Sequence, residues 1–158
     1  MAVKFRNLLV MNLTNHFTLN EFIISETAVR KGIDNTPSET VIINLKELCS
    51  NLLEPIREKL NAPIHVSSGY RCKKLNTAIG GAKNSQHIEG KAADITTKEL
   101  TVEELFQFVC DNFDFDQCIQ EFDSWVHVSW NGDKNRNQKL RAIKEKKDNA
   151  LVTRYIQV

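Results

Sequence analysis

The chain has 158 residues, 41% of them hydrophobic, enough for one well-cored domain and short for two. Its 21 Lys and Arg against 20 Asp and Glu leave a net charge of +1, so no global field draws it to nucleic acid or to an anionic membrane. The four cysteines, Cys49, Cys72, Cys110 and Cys118, show no C-x-x-C pairing and are too sparse for a disulfide scaffold, which predicts free thiols in a reducing compartment.

At the N-terminus, Lys4 and Arg6 precede only Leu8-Leu9-Val10-Met11 before Asn12, an apolar run too short for a signal-peptide core or a membrane span. Synthesis in the cytoplasm is the expectation. Three helices are then announced by the capping-box pattern: Thr18-Leu19-Asn20-Glu21, Thr36-Pro37-Ser38-Glu39 and Thr101-Val102-Glu103-Glu104. Phe17 with Phe22, and Leu100 with Leu105, stand where a hydrophobic staple would close the first and third. Gly32 ends the first, and Pro37 suits the first position of the second.

The second helix is the long one, with Val41, Leu45, Leu48, Leu52, Ile56 and Leu60 forming an apolar stripe. Pro55 inside that stripe should bend it or split it in two. Ile64-His65-Val66-Ser67 reads as a strand bending at Gly69, and Lys73 to Ile79 as a short helix before Gly80-Gly81. Ala92, Ala93 and Ile95 mark a short buried strand that carries Asp94. After the third helix, Gln117 to Glu121 and Trp125 to Trp130 form a hairpin with its turn at Phe122-Asp123-Ser124. Beyond Asn131-Gly132 the chain is basic, with seven Lys or Arg against three acids between Asp133 and Asn149. Leu140 to Glu145 and Leu151 to Val158 read as a last, solvated edge hairpin. The expected fold class is α+β: a small antiparallel sheet carrying the functional site, packed against two or three N-terminal and crossover helices. It forms a single domain over 1–158, with the motifs in about 17–130 and the basic hairpin in 131–158.

Ser85-Gln86-His87-Ile88-Glu89-Gly90-Lys91-Ala92-Ala93-Asp94 and, further on, Trp125-Val126-His127 carry the chemistry. Two imidazoles and a carboxylate are a ligand set that holds catalytic zinc and leaves a position open for water. His87 and Asp94 are seven residues apart, so on one strand they would be roughly 23 Å apart and on one helix about 10 Å. To share an ion the chain must double back between them, and Gly90 is the residue able to make the bend. Alternation sets Val126, Val128 and Trp130 on one face and Trp125, His127 and Ser129 on the other, which turns His127 toward a cleft. His16 and His65 read as structural or solvated, and Cys72 and Cys118 lack thiolate-ligand spacing.

These blocks, with Ser67-Ser68-Gly69-Tyr70-Arg71, Leu75-Asn76 and Ile79-Gly80-Gly81, occur in an order that resembles the zinc D-Ala-D-Ala carboxypeptidase family. That family includes phage L-Ala-D-Glu endolysins and shares its fold with the hedgehog signalling domain. The likeness runs from about Phe17 to Trp130. It implies that His87, Asp94 and His127 hold zinc and that Arg71 binds a substrate carboxylate or a developing oxyanion. It also implies that Ser85, Tyr70 and Trp125 line the substrate cleft. Family members of one subgroup carry an acid three residues before the second histidine, where this chain has Ser124. Hedgehog-like relatives carry a glutamate six before it, which falls on Glu121, with Asp123 as the alternative base. A three-residue turn at Phe122 to Ser124 would put Glu121 on the face of His127, whereas a two-residue turn would not.

The function so implied is hydrolysis of peptidoglycan stem peptides by a monomeric zinc peptidase, of carboxypeptidase or endopeptidase type. Nucleic acid is not an expected partner. A phage or prophage lysin, released by holins or delivered with the virion, fits a chain without a signal peptide. The competing function is a zinc-stabilised binding or structural module of the same fold that has lost turnover.

Overall fold

The structure is a computed structural model that describes residues 11–148 and 150–158. Of the apolar run at 8–11, only Met11 falls within them. Among the described residues no helix is long and apolar enough to cross a membrane.

The first expected helix is two short ones, α1 (Leu19–Ile23) and α2 (Glu26–Lys31). At α1 the Glu21 carboxylate accepts from the Thr18 N–H and hydroxyl, and Phe17 stacks edge-on against Phe22 with centroids 6.1 Å apart. Ile24 then turns extended and Ser25 starts a new helix by accepting from the Ala28 N–H, which divides the segment. Gly32, left-handed at φ 59°, closes α2.

The long helix begins later than its Thr-Pro pair suggests. Thr36 gives both its N–H and its hydroxyl to the Asp34 carboxylate, so Ser38 becomes the cap of α3 (Glu39–Leu48), accepting from the Val41 N–H. A π-helical turn, Cys49–Leu53, joins α3 to α4 (Glu54–Leu60). Pro55 thereby falls at the start of α4, and the chain widens by a π-turn instead of breaking. Of the apolar stripe, Leu45, Leu48, Leu52 and Ile56 are fully buried and Val41 nearly so, Leu53 of the π-turn joins them, and Leu60 is half-buried.

Among the described residues six strands follow: β1 (His65–Ser68), β2 (Ala92–Thr96), β3 (Gln117–Glu121), β4 (Trp125–Ser129), β5 (Gln138–Lys147) and β6 (Ala150–Gln157), with α5 (Lys73–Ala78) and α6 (Val102–Asn112) between them. They form one sheet in the order β1-β2-β4-β3-β5-β6. The expectation of an antiparallel sheet needs one correction, because β3 and β5 run parallel. Both edges of β4 are already occupied by β2 and β3, so the chain leaving β4 returns and docks on the free edge of β3, in the same direction as β3.

Alternation assigns the two faces of the sheet. Ala93, Ile95, Cys118, Val126 and Val128 join the buried leucines of α3 and α4 and Phe106 and Val109 of α6 in one core. Asp94, His127, Ile119 and Glu121 consequently point to the opposite face, which the helices leave open.

Candidate metal centre

His87 sits on a single 3-10 turn, Gln86–Glu89, that ends at Gly90 with φ 71°. A Cβ on Gly90 would lie 2.8 Å from the Val41 carbonyl oxygen, so glycine is required both by the conformation and by the closeness of α3. The bend returns the chain into β2, where Asp94 stands directly opposite His127 of β4. Three donor atoms then converge. His87 Nε2 is 3.2 Å from His127 Nδ1 and 3.3 Å from Asp94 Oδ1, and His127 Nδ1 is 2.9 Å from that same oxygen.

This triangle suits zinc. Bonds near 2.0–2.1 Å at tetrahedral angles separate ligand atoms by about 3.3 Å, close to the spacings found. The second ring nitrogen of His87 reinforces the fit, since Nδ1 lies 2.6 Å from the Gly69 carbonyl oxygen. A carbonyl only accepts, so Nδ1 carries the proton and Nε2 keeps its lone pair for a metal. Burial pushes the His87 imidazole below its ordinary pKa against the opposing charge of Asp94, which favours the neutral, ligating form. Burial alone would raise the Asp94 carboxyl, but the two imidazoles outweigh it and hold it well below the usual carboxylate range. All three side chains are buried. No cysteine joins them: Cys72 caps α5 by accepting from the Leu75 N–H, while Cys118 is buried on the core face.

The turn between β3 and β4 is the three-residue one. Glu121 pairs with Trp125, the Ser124 N–H donates to the Glu121 carbonyl oxygen, and Phe122 and Asp123 both take left-handed conformations at φ 56° and 54°. Glu121 therefore lines the same cleft as His127. Burial raises its carboxyl above the ordinary value, with the His127 and Arg71 charges pulling against it and Asp94 adding to it. Asp123 is exposed, accepts from the Gln120 amide and does not line the cleft.

Arg71 approaches from the loop after β1. Its Nη1 lies 3.3 Å from Ser68 Oγ and 3.9 Å from Asp94 Oδ2, and its Nη2 lies 3.4 Å from Ser85 Oγ. Burial lowers its pKa against the Asp94 and Glu121 charges, yet a guanidinium starts high enough to stay protonated. Its Nε is buried without a hydrogen-bond partner among the described residues, whereas the Trp125 indole acts on the Glu121 carboxylate and pulls its pKa down. Both residues line the cleft, as does Ser85. Tyr70 does not line the cleft; its ring packs on the core, and its backbone bonds to Phe22 and Asn35.

Two features escape the motif reading. Asp116, fully buried, accepts from Gln86 Nε2 at 2.9 Å and from Arg136 Nε at 2.8 Å, tying the turn that carries His87 to the start of β5. The available signal was an acid immediately before a strand, which fits many surface turns equally well. The second feature is the C-terminal hairpin. It is more than a solvated edge, since Lys144, Thr153 and Tyr155 form a wall of the same cleft, a cavity of about 760 Å³.

A family model described as Peptidase M15 matches residues 15–129, a span that contains every residue of the site except Arg136 and the hairpin. No curated protein matches the chain.

Proposed function

The chain belongs to the peptidase M15 family, whose members are zinc-dependent, and we propose that it hydrolyses peptide bonds in peptidoglycan stem peptides. In this reading His87, Asp94 and His127 hold the zinc, Glu121 is the acid–base group, and Arg71 is the clamp for substrate charge. The observation that carries it is the placement of Glu121 on the cleft face beside the His-Asp-His triangle, through its pairing with Trp125. A binding module would need the triangle but not a half-buried carboxylate next to it.

The chemistry that zinc supplies when bound is Lewis-acid polarisation of a carbonyl and a lowered pKa for water. Glu121 takes a proton from the attacking water and returns it to the departing amine, a role suited to a carboxyl raised by burial toward the working pH. Arg71, desolvated yet charged, offers a planar fork to a peptide carboxylate or to negative charge growing on the attacked carbonyl. Ser85 holds that fork, and Trp125 gives the peptide an aromatic surface.

The test is digestion of purified muropeptides by the wild type and by Glu121→Gln, with bound metal measured in both. Activity lost with metal retained supports the reading. A wild type that carries zinc and leaves muropeptides of varied stem composition uncut overturns it in favour of the non-catalytic module.

A further inference from the structure

The family match ends at residue 129, whereas the cleft continues onto β5 and β6. Strand register puts Trp125, Glu121, Ala142 and Tyr155 in one row across four strands, with side chains on one face. Neighbouring strands lie about 4.8 Å apart, so the Glu121 and Tyr155 backbones are separated by about 10 Å, with only the methyl group of Ala142 between them. One step along the hairpin, on the same face, Lys144 stands opposite Thr153.

Lys144 is prepared for an anion. Its ammonium donates to Thr153 Oγ1 at 3.1 Å and sits 4.4 Å from the centroid of the Phe122 ring. That ring is aimed at β5 by the left-handed turn: the Phe122 N–H donates to the Ala142 carbonyl oxygen, and the ring packs against Ile119, Leu140 and Ala142. The other cations of the cleft have carboxylate partners, Arg71 near Asp94 and Arg136 on Asp116. Lys144 has none within ion-pair distance among the described residues, and its two polar contacts leave an N–H free.

We propose that Lys144 and Tyr155 form a specificity subsite for a free, unreacting carboxylate of the substrate peptide. The inference rests on the peptidase reading above and adds to it a chemical requirement on the substrate. Tyr155 contributes its phenol as a second donor. Tyr155 is 54% exposed, and its phenol, with an ordinary pKa of about 10, is protonated at neutral pH. The Phe122 ring forms the floor and Thr153 fixes the ammonium. Lys144 is a binding residue here, since it touches a part of the substrate that does not react.

The experiment compares two synthetic stem peptides that differ only in whether the α-carboxylate of the D-Glu residue is free or amidated. Hydrolysis and calorimetric binding are measured with the zinc-loaded full chain, with Lys144→Gln, Tyr155→Phe and, as a charge control on the opposite face of β5, Lys139→Gln. The wild type should prefer the carboxylate peptide in kcat/KM and in Kd. Lys144→Gln should reduce that preference by about tenfold, equivalent to about 1.4 kcal/mol, mostly through KM. Tyr155→Phe should reduce it in the same sense, and Lys139→Gln should leave it intact. Cleavage of both peptides without preference, or a preference untouched by Lys144→Gln, overturns the subsite and leaves the peptidase reading standing. Carboxylate-selective binding that depends on Lys144 without any cleavage supports the subsite and overturns the peptidase reading.

Discussion

The Gly69 carbonyl oxygen lies 2.6 Å from Nδ1 of His87, and a Cβ on Gly69 would meet the Phe22 backbone at 2.6 Å. The residue that orients the first candidate ligand is therefore itself wedged against α1. Gly69→Ala should cost about 2–3 kcal/mol of stability through overpacking. It should also weaken zinc binding about 10–100-fold by releasing the imidazole. Urea denaturation and a competitive zinc titration measure the two effects, and zinc affinity unchanged in a destabilised variant would count against the orienting role.

Asp116 links the His87 turn to β5 through Gln86 and Arg136. Burial works to raise its carboxyl, but the hydrogen bonds from Arg136 and Gln86 outweigh it and hold the group below its ordinary value. A depressed carboxylate stabilises the fold fully above its unfolded pKa of about 3.9, and that contribution is lost as pH falls through the folded value. Asp116→Asn should lose about 2 kcal/mol at neutral pH, the scale of charge-assisted hydrogen bonds. The gap between variant and wild type should narrow below about pH 4. Denaturation curves at a series of pH values check this; a gap that widens in acid would reverse the sign.

Glu121 and Asp123 are two residues apart and end on different sides of the turn. Glu121→Gln should lower kcat by about 10²–10⁴-fold, the usual worth of general acid–base catalysis, with zinc content unchanged. Asp123→Asn should leave kcat within about twofold, because surface changes away from special features cost little. Steady-state kinetics on one muropeptide substrate separates the two residues, and the opposite ranking would move the base to Asp123.

Arg71 presents two guanidinium nitrogens to serine hydroxyls, and its buried Nε has no partner among the described residues. Lysine keeps the charge but not the fork, so Arg71→Lys should lower kcat/KM by about 10–100-fold, equivalent to about 1.4–2.8 kcal/mol. Full activity in Arg71→Lys would show that charge alone suffices.

Much of the site could be read from residue types and spacing. Gly90 between His87 and Asp94 signals a reversal, and alternation around His127 and Asp94 identifies the face each takes, because period-two patterns survive into the folded sheet. What could not be read depends on partners distant in sequence. Ser25 and Ser38 set helix starts because Ile24 turns extended and Asp34 captures Thr36, choices made among competing local hydrogen bonds. The π-turn before Pro55 depends on how the whole stripe packs. The parallel docking of β5 follows from which strand edges remain free, which no local pattern records. Lys144 and Tyr155 were legible only as members of an edge hairpin, since their place in the cleft arises from pairing across β5 with a turn that holds Phe122 and Asp123 left-handed.

The His87, Asp94 and His127 triangle is proposed to support metal-dependent cleavage of stem peptides. Mass spectrometry of purified peptidoglycan, digested by the zinc-loaded chain and by the same preparation after chelation, tests it most directly. New stem-peptide fragments are expected in the first digest, none in the second, and their return when zinc is restored. No fragments in either digest, or fragments that persist in chelator, would contradict it.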